Sequence, residues 1–348
     1  MSPSASPPGD PTADLPCAHG GPSLTGRARS SAEDFVVEEC LGFEASGAGE
    51  HLLMSVEKTG LNTAEVARLL ARAAGVRPAA VGFAGLKDRL AVTRQYFSVQ
   101  LPGRADPDWT GLPDRVRVLS AVRHDRKLRR GALSGNRFRI VLREVGGDRL
   151  AVAGTCRAIV REGVPNYFGP QRFGRDGVNV SAAAALFAGE LRRPGRERRG
   201  MLLSAARSMI FNDVLATRVA DRSWQNLLEG EVIALDRSRS HFPYDPDDAS
   251  LAERLAGFDV HPTGPLPGRP SRALAPGASA ARVEAGVLAG YPDFIEGLQR
   301  LGVDADRRAL RAAVRDFAWS FEEEALVLGF ELPAGSYATA VLREIALT

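Results

Sequence analysis

The chain has 348 residues, of which 44% are apolar and 25% are charged, and its formal net charge at pH 7 is +3. This composition is typical of a folded globular protein, and no apolar run approaches the ~20 residues that cross a bilayer, so a membrane protein is excluded. The three cysteines (Cys17, Cys40 and Cys156) form no CxxC pair and the five histidines are scattered, which argues against a disulfide scaffold and against a metal site.

Residues 1–22 are rich in Pro, Ser, Gly and Ala, and they lack the basic start and apolar core of a signal peptide. We expect this segment to be a disordered tail, because it offers too little apolar surface to offset the entropy lost on ordering. The same features, with unpaired cysteines, predict a protein of the reducing cytoplasm, and a monomer is the default expectation.

The first elements predicted in the chain are two strands and a helix. The runs 34–39 and 52–56 are typical of strands, and the glycines within 47–49 predict a hairpin between them. Asn62 begins a predicted helix, with Glu65 at the spacing of a capping box.

The next segment places an acidic residue at the tip of a strand pair. Residues 81–85 form a short apolar strand, and residues 92–99 mix polar and apolar side chains as a strand with two different faces does. Between them lie Lys87, Asp88 and Arg89. A side chain on such a turn can point into a cleft while the sheet holds its backbone in place.

The remaining elements are predicted from periodicity and turn residues. Residues 137–145 alternate, with Phe138, Ile140 and Leu142 on one face and arginines on the other. The later elements are an aromatic loop at 164–174, a helix at 204–218, long loops at 242–281, a strand at 326–332 and a final helix that Ser336 caps and Tyr337 begins.

Positive charge is concentrated in two segments. Residues 123–130 hold five fixed positive charges against one negative charge. The second cluster consists of Arg192, Arg193, Arg196, Arg198 and Arg199. Two such clusters on a nearly balanced chain favour a surface that contacts phosphate, although a single cluster is equally typical of a solvated face. The residues that we predict to contact RNA are Arg126, Lys127, Arg129 and Arg130.

Common catalytic motifs are missing from the sequence, which has no GxxxxGK[ST] loop, no GxSxG elbow and no HExxH pair. We therefore expect no nucleotide cofactor and no metal. What remains is Asp88 in the run GLKDR (85–89). Nearby cations favour the ionised form of a carboxylate, and a positioned, partly desolvated aspartate can act as a covalent nucleophile.

Isomerisation of a uridine requires such a nucleophile, because the C1′–N1 bond must break and a C5–C1′ bond must form while the base is held. Nothing is oxidised and nothing leaves, so no cofactor is needed. Extruding the base from folded RNA costs a few kcal/mol, and aromatic stacking of ~1–3 kcal/mol per base offsets part of that cost. The candidate stacking platforms are Phe35, Phe138, Tyr167, Phe168 and Tyr337, and the candidate reader of the base edge is Asn136.

Several segments resemble the signature stretches of the TruD-type tRNA pseudouridine synthases, and they occur in the family's order. They are EDFVVEE (33–39), GEHLLMSVEKTGLNT (49–63), GFAGLKDRLAVTRQYFSV (82–99), LSGNRF (133–138), VPNYFGPQRFG (164–174), SAARSMIFN (204–212) and LPAGSYATAVLRE (332–344). The resemblance covers nearly everything from about residue 23 to the end of the chain.

The resemblance implies that Asp88 is the catalytic aspartate of the family's GLKD motif. It implies that Phe35, Asn136 and Tyr337 contact the substrate and that Phe138 lines the same pocket. The aromatic loop at 164–174 is expected to have a structural role, holding two domains together.

The family also has a basic residue just before its EDF segment, near the nucleophile. Arg29 is the best candidate for that residue and Arg27 is the next. We expect the arginine to hold the carboxylate through a forked contact that a lysine could not make.

The fold that the resemblance implies is α+β, with a catalytic domain on a mixed, largely antiparallel sheet and an inserted second α/β domain. The expected boundaries are 23–163 and 310–348 for the catalytic domain and 164–309 for the insertion. The implied substrate is tRNA, which is bound in a basic cleft and modified at uridine 13.

Two other functions remain open at this point. A non-catalytic RNA-binding protein or RNA chaperone could use the same basic clusters, and an aspartate-dependent nucleoside hydrolase would release free uracil. The sequence also leaves open whether Asp88 attacks C1′ or C6.

Overall fold

The computed structural model describes residues 9–348. It divides into two compact units. The unit that we call the sheet unit comprises residues 23–149, 314–335 and 347–348. The helical unit comprises residues 150–313 and 336–346, together with the segment that ends at residue 22. Over the described residues, no helix combines the length and the apolarity that spanning a membrane requires.

The regular elements are numbered in chain order. The strands are β1 (Leu24–Ala28), β2 (Phe35–Leu41), β3 (His51–Lys58), β4 (Val81–Phe83), β5 (Val92–Gln100), β6 (Val116–His124), β7 (Leu133–Gly147), β8 (Val164–Pro165), β9 (Val232–Leu235), β10 (His241–Pro243), β11 (Val260–Leu266), β12 (Asp306–Ala309), β13 (Arg311–Ala312), β14 (Arg315–Glu322), β15 (Ala325–Pro333) and β16 (Ala346–Leu347). The α-helices are α1 (Thr63–Ala73), α2 (Arg149–Glu162), α3 (Val178–Phe187), α4 (Arg196–Ala220), α5 (Ser250–Ala256), α6 (Ala278–Leu288), α7 (Pro292–Arg300) and α8 (Ala338–Ile345).

The sheet unit is built on a mixed sheet with the strand order β14-β15-β7-β2-β5-β3-β6. The β2–β5 pair is parallel, whereas β7 pairs antiparallel with both β2 and β15, and β3 pairs antiparallel with both β5 and β6. Strand β4 adds to β5 as an antiparallel neighbour. The predicted α+β class with a largely antiparallel sheet is confirmed.

Helix α1 packs on this sheet as its sequence predicts. Asn62 is the N-cap residue, and its backbone N–H donates to Glu65 Oε2 at 2.7 Å, which completes the predicted capping box. Val66 and Leu70 are fully buried on one face of the helix, in a core that also contains Met54 of β3. Burial of each such side chain stabilises the fold by about 1.5–3 kcal/mol.

The face of β7 that the alternation predicts to be buried is buried. Phe138, Ile140 and Leu142 are at most 7% exposed. In the register of the sheet, Asn136 and Phe138 lie opposite Glu39 and Val37 of β2, while Ile140 lies opposite Phe35. Directly opposed residues share a face of a sheet, so these side chains lie together on one side.

The predicted hairpin between residues 34–39 and 52–56 is wrong, because β5 lies between β2 and β3 and pairs with both. The glycine-rich segment 47–49 instead closes against the end of β6. Gly47 N–H donates to the Arg123 oxygen, and a Cβ at Gly49 (φ +126°) would lie 2.4 Å from the His124 oxygen. These glycines therefore allow a close approach to the backbone of β6, and they do not form a hairpin turn between β2 and β3.

The helical unit contains α4, which packs against α3 and β11, and an antiparallel sheet of order β10-β9-β11-β12. The helix predicted at 204–218 corresponds to α4, which begins eight residues earlier, at Arg196. The prediction of long loops at 242–281 is wrong, because α5 and β11 form there. The prolines of β11 argue against a strand in the sequence, because proline has no N–H to donate. At Pro262 the strand needs only an acceptor, and the Pro262 oxygen accepts the Leu310 N–H at 2.9 Å.

The helical unit contains residues 150–163, 310–313 and 336–346, which the expected boundaries place in the catalytic domain. The sequence predicts that residues 9–22 belong to a disordered tail, but they are hydrogen-bonded to the folded chain. The backbone N–H groups of Ala18 and His19 donate to the carboxylate of Glu344 at 3.0 and 2.9 Å, so this part is tied to α8. Residues 1–8 of the expected tail lie outside the described residues.

Candidate active site

Asp88 lies on the loop between β4 and β5, and two hydrogen bonds fix the backbone of this loop. Lys58 Nζ donates to the main-chain oxygen of Asp88 at 2.7 Å. The backbone N–H of Lys87 donates to Thr63 Oγ1, at the start of α1, at 3.0 Å. The carboxylate of Asp88 is nevertheless open, with its side chain 58% exposed. A fixed backbone that carries an accessible carboxylate suits a nucleophile.

The cation beside this carboxylate is Arg29. Arg29 Nη2 lies 3.3 Å from Asp88 Oδ2, and the guanidinium carbon lies 4.3 Å from the centre of the Phe35 ring. The contact is a single one, so the expected forked geometry is wrong for this structure. Arg27, the second candidate, pairs with Glu144 at 3.0 Å. Ring and carboxylate together hold the Arg29 side chain between them.

Phe35 and Phe138 form the aromatic floor on the same face of the sheet. Their ring centres are 6.3 Å apart in an edge-to-face arrangement, and Phe138 also contacts Phe330 at 5.3 Å. Phe35 is 4% exposed and Phe138 is 7% exposed. Burial to this degree leaves little ring surface for a ligand, and of the two rings it is Phe35 that lies beneath the Arg29 guanidinium.

Asn136 lies on this face near the nucleophile loop. Its Oδ1 accepts a hydrogen bond from Lys87 Nζ, and Lys87 Nζ also lies 3.2 Å from Glu39 Oε1. The structure therefore brings five predicted site residues together within the sheet unit. They are Arg29, Phe35, Asp88, Asn136 and Phe138.

The predicted RNA-contacting segment packs against β4, the strand that leads to Asp88. Leu128 is buried, with its N–H donating to Ser98 Oγ at 2.8 Å, and the Gly131 N–H donates to the Ala84 oxygen at 2.8 Å. Around this anchor, Arg126 and Arg129 are exposed. The segment that carries the four basic residues is thus hydrogen-bonded to Ala84, which begins the loop of the candidate nucleophile. Two of them also have packing contacts: Lys127 with the Ala79 oxygen and Arg130 with the Phe83 ring.

Tyr337 lies in the helical unit, where it occupies the N-cap position of α8 in place of Ser336. Its hydroxyl accepts hydrogen bonds from Arg172 Nε at 3.1 Å and Nη2 at 2.7 Å, and its ring contacts Phe168 edge-to-face at 6.0 Å. Tyr167 and Phe168 are buried in the core of the helical unit. The structure therefore gives these two candidate platforms a packing role.

A groove of about 770 Å³ lies elsewhere in the sheet unit. Its lining includes Glu38, Arg94, Arg137 and Arg139, which alternate along the strands with the residues that surround Asp88. Alternation places them on the opposite face of the sheet. Phe138 and Phe330 also line this groove, whereas the candidate nucleophile Asp88 and its cation Arg29 do not.

Comparison with known proteins identifies the family. The family described as tRNA pseudouridine synthase D (TruD) matches residues 17–194 and 191–345. The chain belongs to this family. The resemblance predicted from the sequence is thus confirmed.

Relatives of the TruD family match nearly the whole chain. A tRNA pseudouridine synthase D of Methylococcus capsulatus is 49% identical over 95% of this chain and 94% of its own length. One of Xanthomonas axonopodis pv. citri is 49% identical over 96% and 95% of the two chains. A crystal structure assigned to TruD from Methanosarcina mazei has a TM-score of 0.74 at 22% identity, covering 98% of each chain, and supports the fold.

Lys58 is a residue of the candidate site that sequence reasoning missed. It is fully buried, and burial lowers its pKa to about 8, although the charges of Asp88 and Glu65 favour the ammonium form. The predicted strand ended at Val56, and a lysine at a strand end is usually solvated. The signal was the period-2 continuation of Met54 and Val56, which places Lys58 on the buried face.

Proposed function

We propose that the chain isomerises a uridine of tRNA to pseudouridine, with Asp88 as the covalent nucleophile and with no cofactor. Family membership supports the reaction class. The observation that carries the residue assignment is the exposed Asp88 carboxylate on a fixed loop, 3.3 Å from Arg29. By resemblance to the family, the proposed target is uridine 13.

The reaction balances with these residues alone. The carboxylate of Asp88 attacks the nucleoside at C1′ or at C6 of the base, and the C1′–N1 bond breaks. The uracil turns within the site, C5 bonds to C1′, and the Asp88 carboxylate is released again. The proton on C5 is lost and N1 ends with one proton, so the product has the mass of the substrate. No electrons are gained or lost, so the proposed reaction calls for no redox group.

The neighbouring residues have supporting roles in this proposal. Arg29 holds the carboxylate, while Phe35 and Phe138 shape the floor of the site. Asn136 binds the edge of the extruded base, and Tyr337 contacts the substrate, as the family resemblance implies. Arg126, Lys127, Arg129 and Arg130 bind phosphates of the RNA. We further propose that the enzyme acts as a cytoplasmic monomer.

The test is to map pseudouridine by chemical labelling in tRNA from cells whose own copy of this protein is deleted and replaced by the wild-type protein or by a variant. Cells that carry wild-type protein should contain the modification, and cells that carry Asp88→Ala should not. Unchanged pseudouridine with the variant would favour a non-catalytic RNA-binding protein. Release of free uracil from RNA by the wild-type protein would favour a nucleoside hydrolase.

A further inference from the structure

Lys87, the residue before the candidate nucleophile, joins two side chains that neighbour each other in the sheet. Glu39 and Asn136 are directly opposed partners of β2 and β7. Lys87 Nζ lies 3.2 Å from Glu39 Oε1 and donates a hydrogen bond to Asn136 Oδ1. The side chain of Glu39 is completely buried and that of Lys87 is 10% exposed, so water competes little with these contacts.

The surroundings of Glu39 fix this arrangement from the other side. Its second oxygen, Oε2, accepts the backbone N–H of Tyr96 at 2.8 Å. Gly85 gives the loop room to approach, because a Cβ there would lie 3.0 Å from Glu39 Oε1. Truncating either partner of a buried ion pair of this kind leaves an uncompensated charge, so the pair constrains the position of Lys87.

The contact with Lys87 determines which end of the Asn136 amide is available. An ammonium group has three donors and no acceptor, so it can bond only to the amide oxygen. With Oδ1 occupied in this way, Nδ2 is the end of the amide left to serve another partner, and it can do so only as a hydrogen-bond donor. A freely rotating amide, in contrast, could present its oxygen or its nitrogen to a ligand.

We infer that Lys87, held by Glu39, is a positioning residue that fixes the Asn136 amide with its donor toward the substrate and so selects uracil over cytosine. The inference rests on the proposed function. At C4 uracil carries a carbonyl oxygen, which accepts, whereas cytosine carries an amino group, which donates. A fixed N–H donor of Asn136 pairs with the carbonyl oxygen of uracil. In cytosine it would face the amino group, which is also a donor. Leaving both groups unpaired in the site disfavours cytosine strongly.

The test compares the affinities of two RNAs that differ only in uridine or cytidine at the target position. Binding is measured with the full chain carrying Asp88→Ala, so that bound uridine is not converted. The protein should bind the uridine RNA at least about tenfold more tightly than the cytidine RNA, which corresponds to one well-made hydrogen bond. Adding Lys87→Met should reduce this ratio toward one, chiefly by weakening the uridine complex.

Matched variants separate selection from folding. Arg89→Met removes a cation two residues away, whose Nε donates to the Gly60 oxygen and not to Asn136, and it should leave the ratio unchanged. Lys87→Arg keeps a donor for Oδ1 and should restore part of the ratio. Equal loss of affinity for both RNAs in Lys87→Met, or a ratio near one before that substitution, would overturn the inference. Failure of the proposed function would appear in a separate measurement, as the absence of pseudouridine in tRNA treated with the wild-type protein.

Discussion

The ammonium nitrogen of Lys58 lies 2.7 Å from the main-chain oxygen of Asp88. Lys58 ends a core strand, and Asp88 carries an open carboxylate on a loop. This hydrogen bond couples the interior of the sheet unit to the backbone of the proposed nucleophile itself, one residue after the Lys87 N–H that Thr63 accepts.

Replacing this lysine should separate activity from stability. In Lys58→Met the Asp88 backbone loses its anchor, and misplacement of a reacting group by about 1 Å can cost ~100-fold in rate, so kcat should fall about 10- to 100-fold. Stability at pH 7 should be unchanged or higher, because a buried ammonium is replaced by an apolar side chain. Single-turnover rates and urea unfolding of the same preparations measure the two effects. Loss of stability with normal kcat would contradict the anchor role.

The depressed pKa of Lys58 predicts how stability depends on pH. Below pH 8 the lysine is charged in both folded and unfolded chains, and the folded state bears the full cost of burying the charge. Between pH 8 and the unfolded value of about 10.4, the unfolded chain binds a proton that the folded chain has lost, so stability rises with pH. The free energy of unfolding of wild type minus that of Lys58→Met should increase across this window. A flat difference would place the amine in solvent, and a falling difference would mean that folding raises the pKa of Lys58.

The single contact between Arg29 and Asp88 predicts that a lysine can replace the arginine. Arg29→Lys should keep kcat within about threefold of wild type, because the pair is half-exposed and needs only one donor. Arg29→Met keeps a side chain over Phe35 but removes the cation, and it should lower kcat by at least about tenfold. Equal losses in the two variants would indicate that the forked contact forms when RNA is bound.

The exposed cations of the basic segment should act through phosphate. Arg126→Glu with Arg129→Glu reverses two charges without altering the buried Leu128 anchor. The slope of log affinity against log salt should become shallower by roughly 1 to 2, because fewer counterions are released on binding. The double variant Arg192→Glu with Arg193→Glu is a comparison at the second cluster. Unaltered affinity and slope at the first cluster would show that it is a solvated face.

Local signals in the sequence predicted local structure well. The capping box at Asn62 and Glu65 and the alternation from Arg137 to Val145 each correspond to an element of the structure. The motif that contains Asp88 placed it on a turn between two strands, as found. These features depend on neighbours a few residues away, which the sequence displays directly.

Features that depend on distant partners could not be predicted in the same way. The insertion of β5 between β2 and β3 is a non-local pairing that no turn residue encodes. The links of Lys87 to Glu39 and Asn136 join three separate segments, and the burial of Lys58 depends on elements packed over the end of β3. Charged side chains in a sequence are therefore hard to assign to the interior before the fold is known.

The most direct measurement uses tRNA transcripts labelled with tritium at C5 of uridine. Forming the C5–C1′ bond displaces the C5 hydrogen, so each conversion must release one tritium into water. Wild-type protein should release about one equivalent per tRNA without added cofactor, and Asp88→Asn, which retains the shape of the side chain, should release none above background. Release by Asp88→Asn at the wild-type rate, or no release by the wild-type protein, would contradict the assignment of Asp88 as the nucleophile of uridine isomerisation.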